Sequence, residues 1–336
     1  MSIATEQSSK LQESDIEVEK PRILGRFHSP QGAAVLSLVL VALVVVFSLL
    51  SPHFFTLANL YQILLTTSVV VVLAAGQTFV IVTGGIDLSQ GSMVGLCGVV
   101  AALIMTGGGS VFLGILASLA VGAGVGALNA FMVTRMNLPP FIATLGTMSI
   151  AQGMALIITG GQPVFGLPKS FSGFGPSGVG GFLPNVTIIM IVMVVLLHFY
   201  LSRTKTGRYI NAIGSNDKAA RLAGVPIKRN LFKAYILSAT MAAVGGLILL
   251  AWTNSGVAAA GTGREMQSIA AVVIGGASLA GGAGSVLGAL IGALLMAVLS
   301  NGTQLLGMSS YLQVVLLGLV VILAVYVDQF RNRSSS

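Results

Sequence analysis

Charge is what this 336-residue sequence has least of: 8% of its residues are Asp, Glu, Lys or Arg, against 55% that are hydrophobic. An ordinary soluble domain carries about 25% charged residues. Seventeen basic and nine acidic side chains cannot cover a water-exposed surface of this size. The shortage excludes a soluble enzyme, a nucleic-acid-binding module and a disordered chain. With a mean hydropathy of +0.95, it points to a polytopic membrane protein whose surface meets lipid. Cysteine is nearly absent too. Cys97 stands alone inside an apolar run, so no intrachain disulfide forms and the thiol reads as a small buried apolar group. The histidines, His28, His53 and His198, lie far apart with no cysteine cluster near them, so no metal site is expected. There is no G-x-x-x-x-G-K-[ST] loop, and no convergent nucleophile and base. No catalytic residue is assigned.

What the sequence has is long apolar runs. The first, 32–51, is bracketed by Pro30 and Pro52 and is about one bilayer crossing long. Others follow at 59–83, 88–107, 110–134, 141–159, 185–202, 231–254, 267–280, 283–301 and 310–328. The expected fold is all-α, with about ten transmembrane helices in a domain over 31–330. Segment 267–280 is short and broken by glycine, so it is also open to a re-entrant reading. Residues 1–30 are polar and read as a disordered cytoplasmic tail, and 331–336 as a second cytoplasmic tail. Eight of the 17 basic residues fall between Arg203 and Lys233. By the positive-inside rule the 203–230 loop is cytoplasmic, and an even count of ten places both termini inside as well.

The 43 glycines are often paired. The segment GGIDLSQG at 84–91 resembles GGASLAGG at 275–282, and each interrupts two apolar runs. Paired Gly-broken segments in the two halves of a chain are a pointer to a translocation site. Asp87, in the first, is the only acid between Glu19 and Asp217. A carboxylate among membrane spans marks function by default. The alternative is a cap on the next helix, with Asp87 accepting from the backbone of Ser89. Pro139 and Pro140 hold 137–144 out of helical geometry until the fifth helix begins, so 84–91 and 137–144 are expected to form an inner gate.

Two loops stand out. In 203–230, Asn216 or Ser215 caps a short helix from Asp217 to Leu222, ended by Gly224 and Pro226. A short helix on a basic loop suits docking to a soluble partner. The 25-residue loop 160–184 holds eight glycines, four prolines and four phenylalanines. It cannot span, and its phenylalanines suggest an outer contact surface.

These motifs together resemble a known family. Lys218-Ala219-Ala220 followed by Gly224 looks like the E-A-A-x-x-x-G motif of ABC-importer permeases, with Lys in place of Glu. TGGIDLSQGS at 83–92, LPPFIATLGTM at 138–148, TGRYINAIG at 206–214 and IGGASLAGGAG at 274–284 resemble the ribose/xylose/galactose-type sugar permeases, the binding-protein-dependent inner membrane components. The likeness runs in order from about residue 35 to 330. It implies a permease of an ATP-driven importer of a monosaccharide, ribose foremost, in the bacterial inner membrane. The permease would work as a homodimer with a cytoplasmic ATPase and a periplasmic sugar-binding protein, ATP and magnesium being held by the ATPase. It implies ATPase coupling through Asn211, Gly214, Asn216, Asp217, Ala219, Ala220, Arg221 and Gly224. The binding protein is expected at Phe171 and Phe174. The sugar pathway and gate are expected at Gln77, Thr78, Asp87, Asn137, Pro139, Pro140, Thr144, Asn301 and Gln304, neutral but for Asp87 because a sugar is uncharged. The rival class, an ion-coupled secondary transporter of a small polar solute, needs intramembrane acids or cation sites. Only Asp87 qualifies on this reading.

Overall fold

The computed structural model describes residues 30–175, 177–180 and 183–333. The expected N-terminal tail, apart from Pro30, lies outside the described residues. Each of the ten apolar segments carries a helix: α1 (Pro30–Leu50), α2 (Leu57–Val82), α3 (Gln90–Thr106), α4 (Val111–Thr134), α5 (Pro140–Thr159), α7 (Asn185–Arg203), α10 (Ile227–Thr253), α11 (Arg264–Ile274), α12 (Val286–Leu305) and α13 (Ser310–Arg333). The loops add α6 (Lys169–Ser172), α8 (Lys205–Ser215) and α9 (Asp217–Leu222). Starts are marked by local chemistry. Thr56, Ser110 and Ser285 each accept the backbone N–H three residues on with their hydroxyl oxygens, and Pro140 opens α5 where no N–H is needed.

Among the described residues six helices, α2, α4, α5, α7, α10 and α12, are long and apolar enough to cross a membrane by themselves. Six such helices do not confirm the expected ten. The 267–280 segment is helical only to Ile274, and α11, at 11 residues, is about 16 Å long, roughly half the hydrocarbon thickness. Helix α13 continues to Arg333, into the expected C-terminal tail, and 334–336 lie outside the described residues.

Helices α2 and α10 form the centre. Sixteen consecutive positions of α2, Thr67 to Val82, are buried, and Tyr235 of α10 is the largest fully enclosed side chain among the described residues. Around them α3, α4 and α5 pack on one side and α7, α11 and α12 on the other. Helix α1 stands at the edge against α12, where Phe47 stacks on Phe54 at 5.6 Å and presses on Gly302. The helix ends sort by face. At one end the 160–184 loop, with a two-residue antiparallel pair β1 (Gly178–Val179) and β2 (Leu183–Pro184), meets the exit of α10: Val164 and Gly256 exchange backbone hydrogen bonds of 2.8 and 2.9 Å. At the other end 83–89, 275–285 and α8 come together: the Gly282 N–H donates to the Val82 carbonyl at 2.9 Å.

Candidate functional site

The two Gly-rich repeats, far apart in sequence, touch. The Ala280 carbonyl lies beside Gly84, and the end of α8 fits into the junction. A Cβ on Gly214 would overlap both the Val82 carbonyl and the Gly282 N–H, so only glycine allows α8 to sit this close. Thr206, Gly207, Ile210 and Ile213 form the buried stripe of α8. Asn211 stays on its own helix, donating to the Gly207 carbonyl at 3.0 Å. Helix α9 follows with the expected boundaries. Asn216 caps it by accepting from Ala219 N–H at 2.9 Å, and Gly224 leaves it at φ +78°. Ala220 is buried, while Asp217, Ala219, Arg221 and Gly224 are exposed. Leu222, which the sequence reading did not single out, is 90% exposed at the tip. Beside it Arg135, Arg221, Lys228 and Arg229, with Val225, Pro226, Ile227 and Phe232, line an open basic cavity of about 480 Å³.

Above this junction Asp87 is fully buried. Its Oδ1 accepts from the Ser89 backbone N–H at 3.0 Å and from the Ser89 hydroxyl at 2.5 Å, and its Oδ2 accepts from Ser238 Oγ at 2.7 Å. Both the capping bond and a wider role are therefore present. Two chains of donors converge on the carboxylate. From α11, Ser268 donates to Gln90 Oε1 at 2.8 Å, and Gln90 Nε2 donates to Ser238 Oγ at 2.9 Å. From α5, Thr147 donates to Asn129 Oδ1 at 2.8 Å, and Asn129 Nδ2 donates to Ser89 Oγ at 3.0 Å. Every donor points towards Asp87, so each bond polarises the next in favour of the negative charge. Gln90 also donates to the Leu73 carbonyl at 3.1 Å, tying in α2. With its amide nitrogen set towards the Asp87 carbonyl, Gln77 donates to it at 3.3 Å and accepts from the Asp87 N–H at 3.1 Å. The Thr144 hydroxyl reaches the Ile86 carbonyl at 3.2 Å and the Pro140 carbonyl at 2.9 Å, so the 84–91 and 137–144 segments do meet.

The expected pathway residues do not gather around one opening. Gln77, Asp87 and Thr144 come together but are enclosed, and Thr78 bonds back to the Ala74 carbonyl of its own helix. Asn137, at φ +55°, and Pro139 are exposed at the connection into α5, where Pro140 is half-buried. Asn301 lies at the far end of α2, in a reciprocal amide pair with Asn59 at 2.8 and 2.9 Å, and Gln304 is exposed near it. In the outer loop Phe174 is 42% exposed, but Phe171 is buried at 7%, which corrects the expectation of an exposed ring there: it packs into the core under the loop. Gln90, Asn129, Thr147, Ser238 and Ser268 were missed. Each is a neutral polar residue in an apolar run, and its partner lies on another helix.

The chain matches, over residues 59–325, the family described as branched-chain amino acid transport system permease component. It is 42% identical to the ribose import permease protein RbsC of Escherichia coli (strain K12) over 89% of this chain and 93% of that one. It is 39% identical to the RbsC protein of Bacillus subtilis (strain 168), over 86% and 90% respectively. It is 33% identical to the D-allose transport system permease protein AlsC of Escherichia coli (strain K12), over 95% and 98%. No solved structure matches it.

Proposed function

The chain belongs to the permease family of binding-protein-dependent ABC importers, among its sugar permeases, and from that premise we propose that it imports a monosaccharide, ribose foremost, as half of a homodimeric membrane channel. A cytoplasmic ATPase drives it and a periplasmic binding protein delivers the sugar. ATP and magnesium belong to the ATPase. The chain crosses the inner membrane ten times, with both termini in the cytoplasm, and α11 makes its crossing together with the non-helical chain before it. This arrangement agrees with the alternation of helix ends and puts the basic α8–α9 loop inside.

One observation carries the mechanism: α8 seats Gly214 directly on the two glycine breaks, while α9 offers Leu222 and Arg221 outward. A rigid push on α9 from the ATPase is transmitted through α8 to Val82 and Gly282. These are the ends of the segments that hold Asp87 in place and lead into α12. Asp87, Gln77 and Thr144 then act as the latch between 84–91 and 137–144, not as a binding surface for sugar. Sequestered in the single chain, their hydrogen-bonding groups give a closed state, and displacement of the breaks loosens it. Phe174 faces the binding protein.

The test is Gly224→Val. A left-handed residue costs a non-glycine side chain about 1–2 kcal/mol, too little to stop insertion but enough to tilt the exit of α9. With the ATPase and binding protein in proteoliposomes, the variant should insert normally, lose most uptake and lose sugar-stimulated ATP hydrolysis. Unchanged uptake with unchanged stimulation would show that α9 does not couple the two.

A further inference from the structure

A non-helical stretch of chain lies within the depth of the helices. After α10 ends at Thr253, the backbone pairs with Val164 at Gly256 and then runs down beside α3. Gly256 lies against Ala102, the Ala258 carbonyl against Gly95, and Gly261 against Gly91. Those contacts cover about 16 Å of helix axis at 1.5 Å per residue. The lower end is deep: Gln90 bonds the Leu73 carbonyl, nine residues, about 13 Å, inside the Val82 end of α2. Residues 257–263 therefore cross membrane depth as turns, and α11 completes the passage.

Irregular backbone is tolerated at that depth only where protein covers it or water fills a cavity beside it. Here the chain itself covers it only in part, with Ala258 and Gly261 buried. Ala259 and Thr262 are exposed, and Gly263, Arg264 and Glu265 are half-buried. Arg264 and Glu265 are also the only charges between Lys233 and Asp328. Both are anchored to backbone: Arg264 Nε donates to the Ala260 carbonyl at 3.3 Å, and Glu265 Oε1 accepts from Gly263 N–H at 3.1 Å. Glu265 Oε2 is buried against Gly91 and has no hydrogen-bond partner among the described residues. Side chains of this kind within a membrane face the interior or water, not lipid.

We propose that the 257–263 backbone with Thr262, Arg264 and Glu265 forms a water-filled wall of the solute passage at mid-membrane depth, closed by the same face of a second copy. The choice of solute rests on the permease reading above; the presence of water does not. One guanidinium and one carboxylate give a wall with no net charge, which neither traps nor repels a neutral sugar. Their paired donors and acceptors match vicinal hydroxyls. Gln152 of α5 borders the wall, donating to the Ala258 carbonyl at 3.4 Å. Ser268, one turn from Glu265, fastens it to the Asp87 network.

The experiment places single cysteines at Ala259→Cys and Thr262→Cys in a Cys97→Ala background, in the assembled transporter in membranes. A charged, membrane-impermeant thiol reagent is the probe, applied from either side. Leu38→Cys, on the 69% exposed face of α1, is the lipid control. Both wall positions should react at least about tenfold faster than the control. Rates equal to the control at both positions overturn the wall. Glu265→Gln should raise the KM for sugar about tenfold while Thr262→Cys labelling in that variant stays fast. An unchanged KM removes Glu265 from sugar contact and overturns that part. If the transporter moves no sugar but the positions label, the permease reading fails and the water-filled wall stands. If sugar moves and the positions are silent, the wall fails and the permease reading stands.

Discussion

Asp87 shows how a single carboxylate fixes several helices. Its two oxygens take three donors, and the donor chains behind them start on α11 and on α5. Removing the acceptor leaves the Ser89 N–H, the Ser89 hydroxyl and the Ser238 hydroxyl buried without a partner, each costing about 1–3 kcal/mol. Asp87→Ala should therefore lower thermal stability in detergent severely and reduce the yield of folded protein. Asp87→Asn keeps an acceptor for Ser89 but turns a donor towards Ser238, whose oxygen already accepts from Gln90. It should cost about 1–2 kcal/mol, visible as a modest fall in melting temperature, and uptake should drop more than the yield does. Ser238→Ala cuts one donor chain and leaves the other. Its melting temperature should lie between wild type and Asp87→Ala, and a value at or below that of Asp87→Ala would mean the two chains do not converge on the carboxylate.

At the scale of the element, the proposed coupling makes α8 and α9 one lever with a glycine at the fulcrum. Gly214→Val sets a side chain into the Val82 carbonyl and the Gly282 N–H, so α8 must lift off the two breaks. That variant should keep ATPase binding, since α9 is untouched, and lose transport; binding by co-purification and uptake of labelled sugar separate the two. Leu222→Asp should do the reverse. It removes the 90% exposed apolar tip and should weaken ATPase association about tenfold or more, while the free permease melts as before. These elements differ in how much of them the sequence reveals. Helix α9 is legible to the residue because Asn216, Gly224 and Pro226 are local signals within ten positions of one another. The same holds for the Gly-rich breaks. The Asp87 network is not legible beyond Ser89. Gln90 finds Ser238 and Ser268 at separations of 148 and 178 residues, and nothing near a lone Gln or Ser in an apolar run announces such a partner. Glu265 escaped for another reason. A charge near the end of a hydropathy segment reads as lying outside the membrane, and its depth is set by where α3 stands.

For the whole molecule, charge is concentrated at the α9 end, where Arg135, Arg221, Lys228 and Arg229 frame the open cavity. A partner that docks there needs acidic groups opposite. Since exposed charges are screened over about 10 Å at 0.1 M salt, association of permease with ATPase should weaken steadily as salt rises, and Arg221→Ala together with Arg229→Ala should flatten that dependence; a light-scattering or co-purification titration reads both. The descent of residues 257–263 beside α3 has a consequence for assembly. A segment without helical hydrogen bonds gains little by partitioning into lipid alone, so it can enter only against a surface that already stands there. That surface is α3, and the chain grows from its N-terminus, so α3 is made about 150 residues earlier. The order of synthesis thus supplies the template before the segment that needs it. A circular permutant that begins within α10 or its exit would present the same contacts in the opposite order and should stall as a proteolysis-sensitive intermediate, although its finished fold is identical.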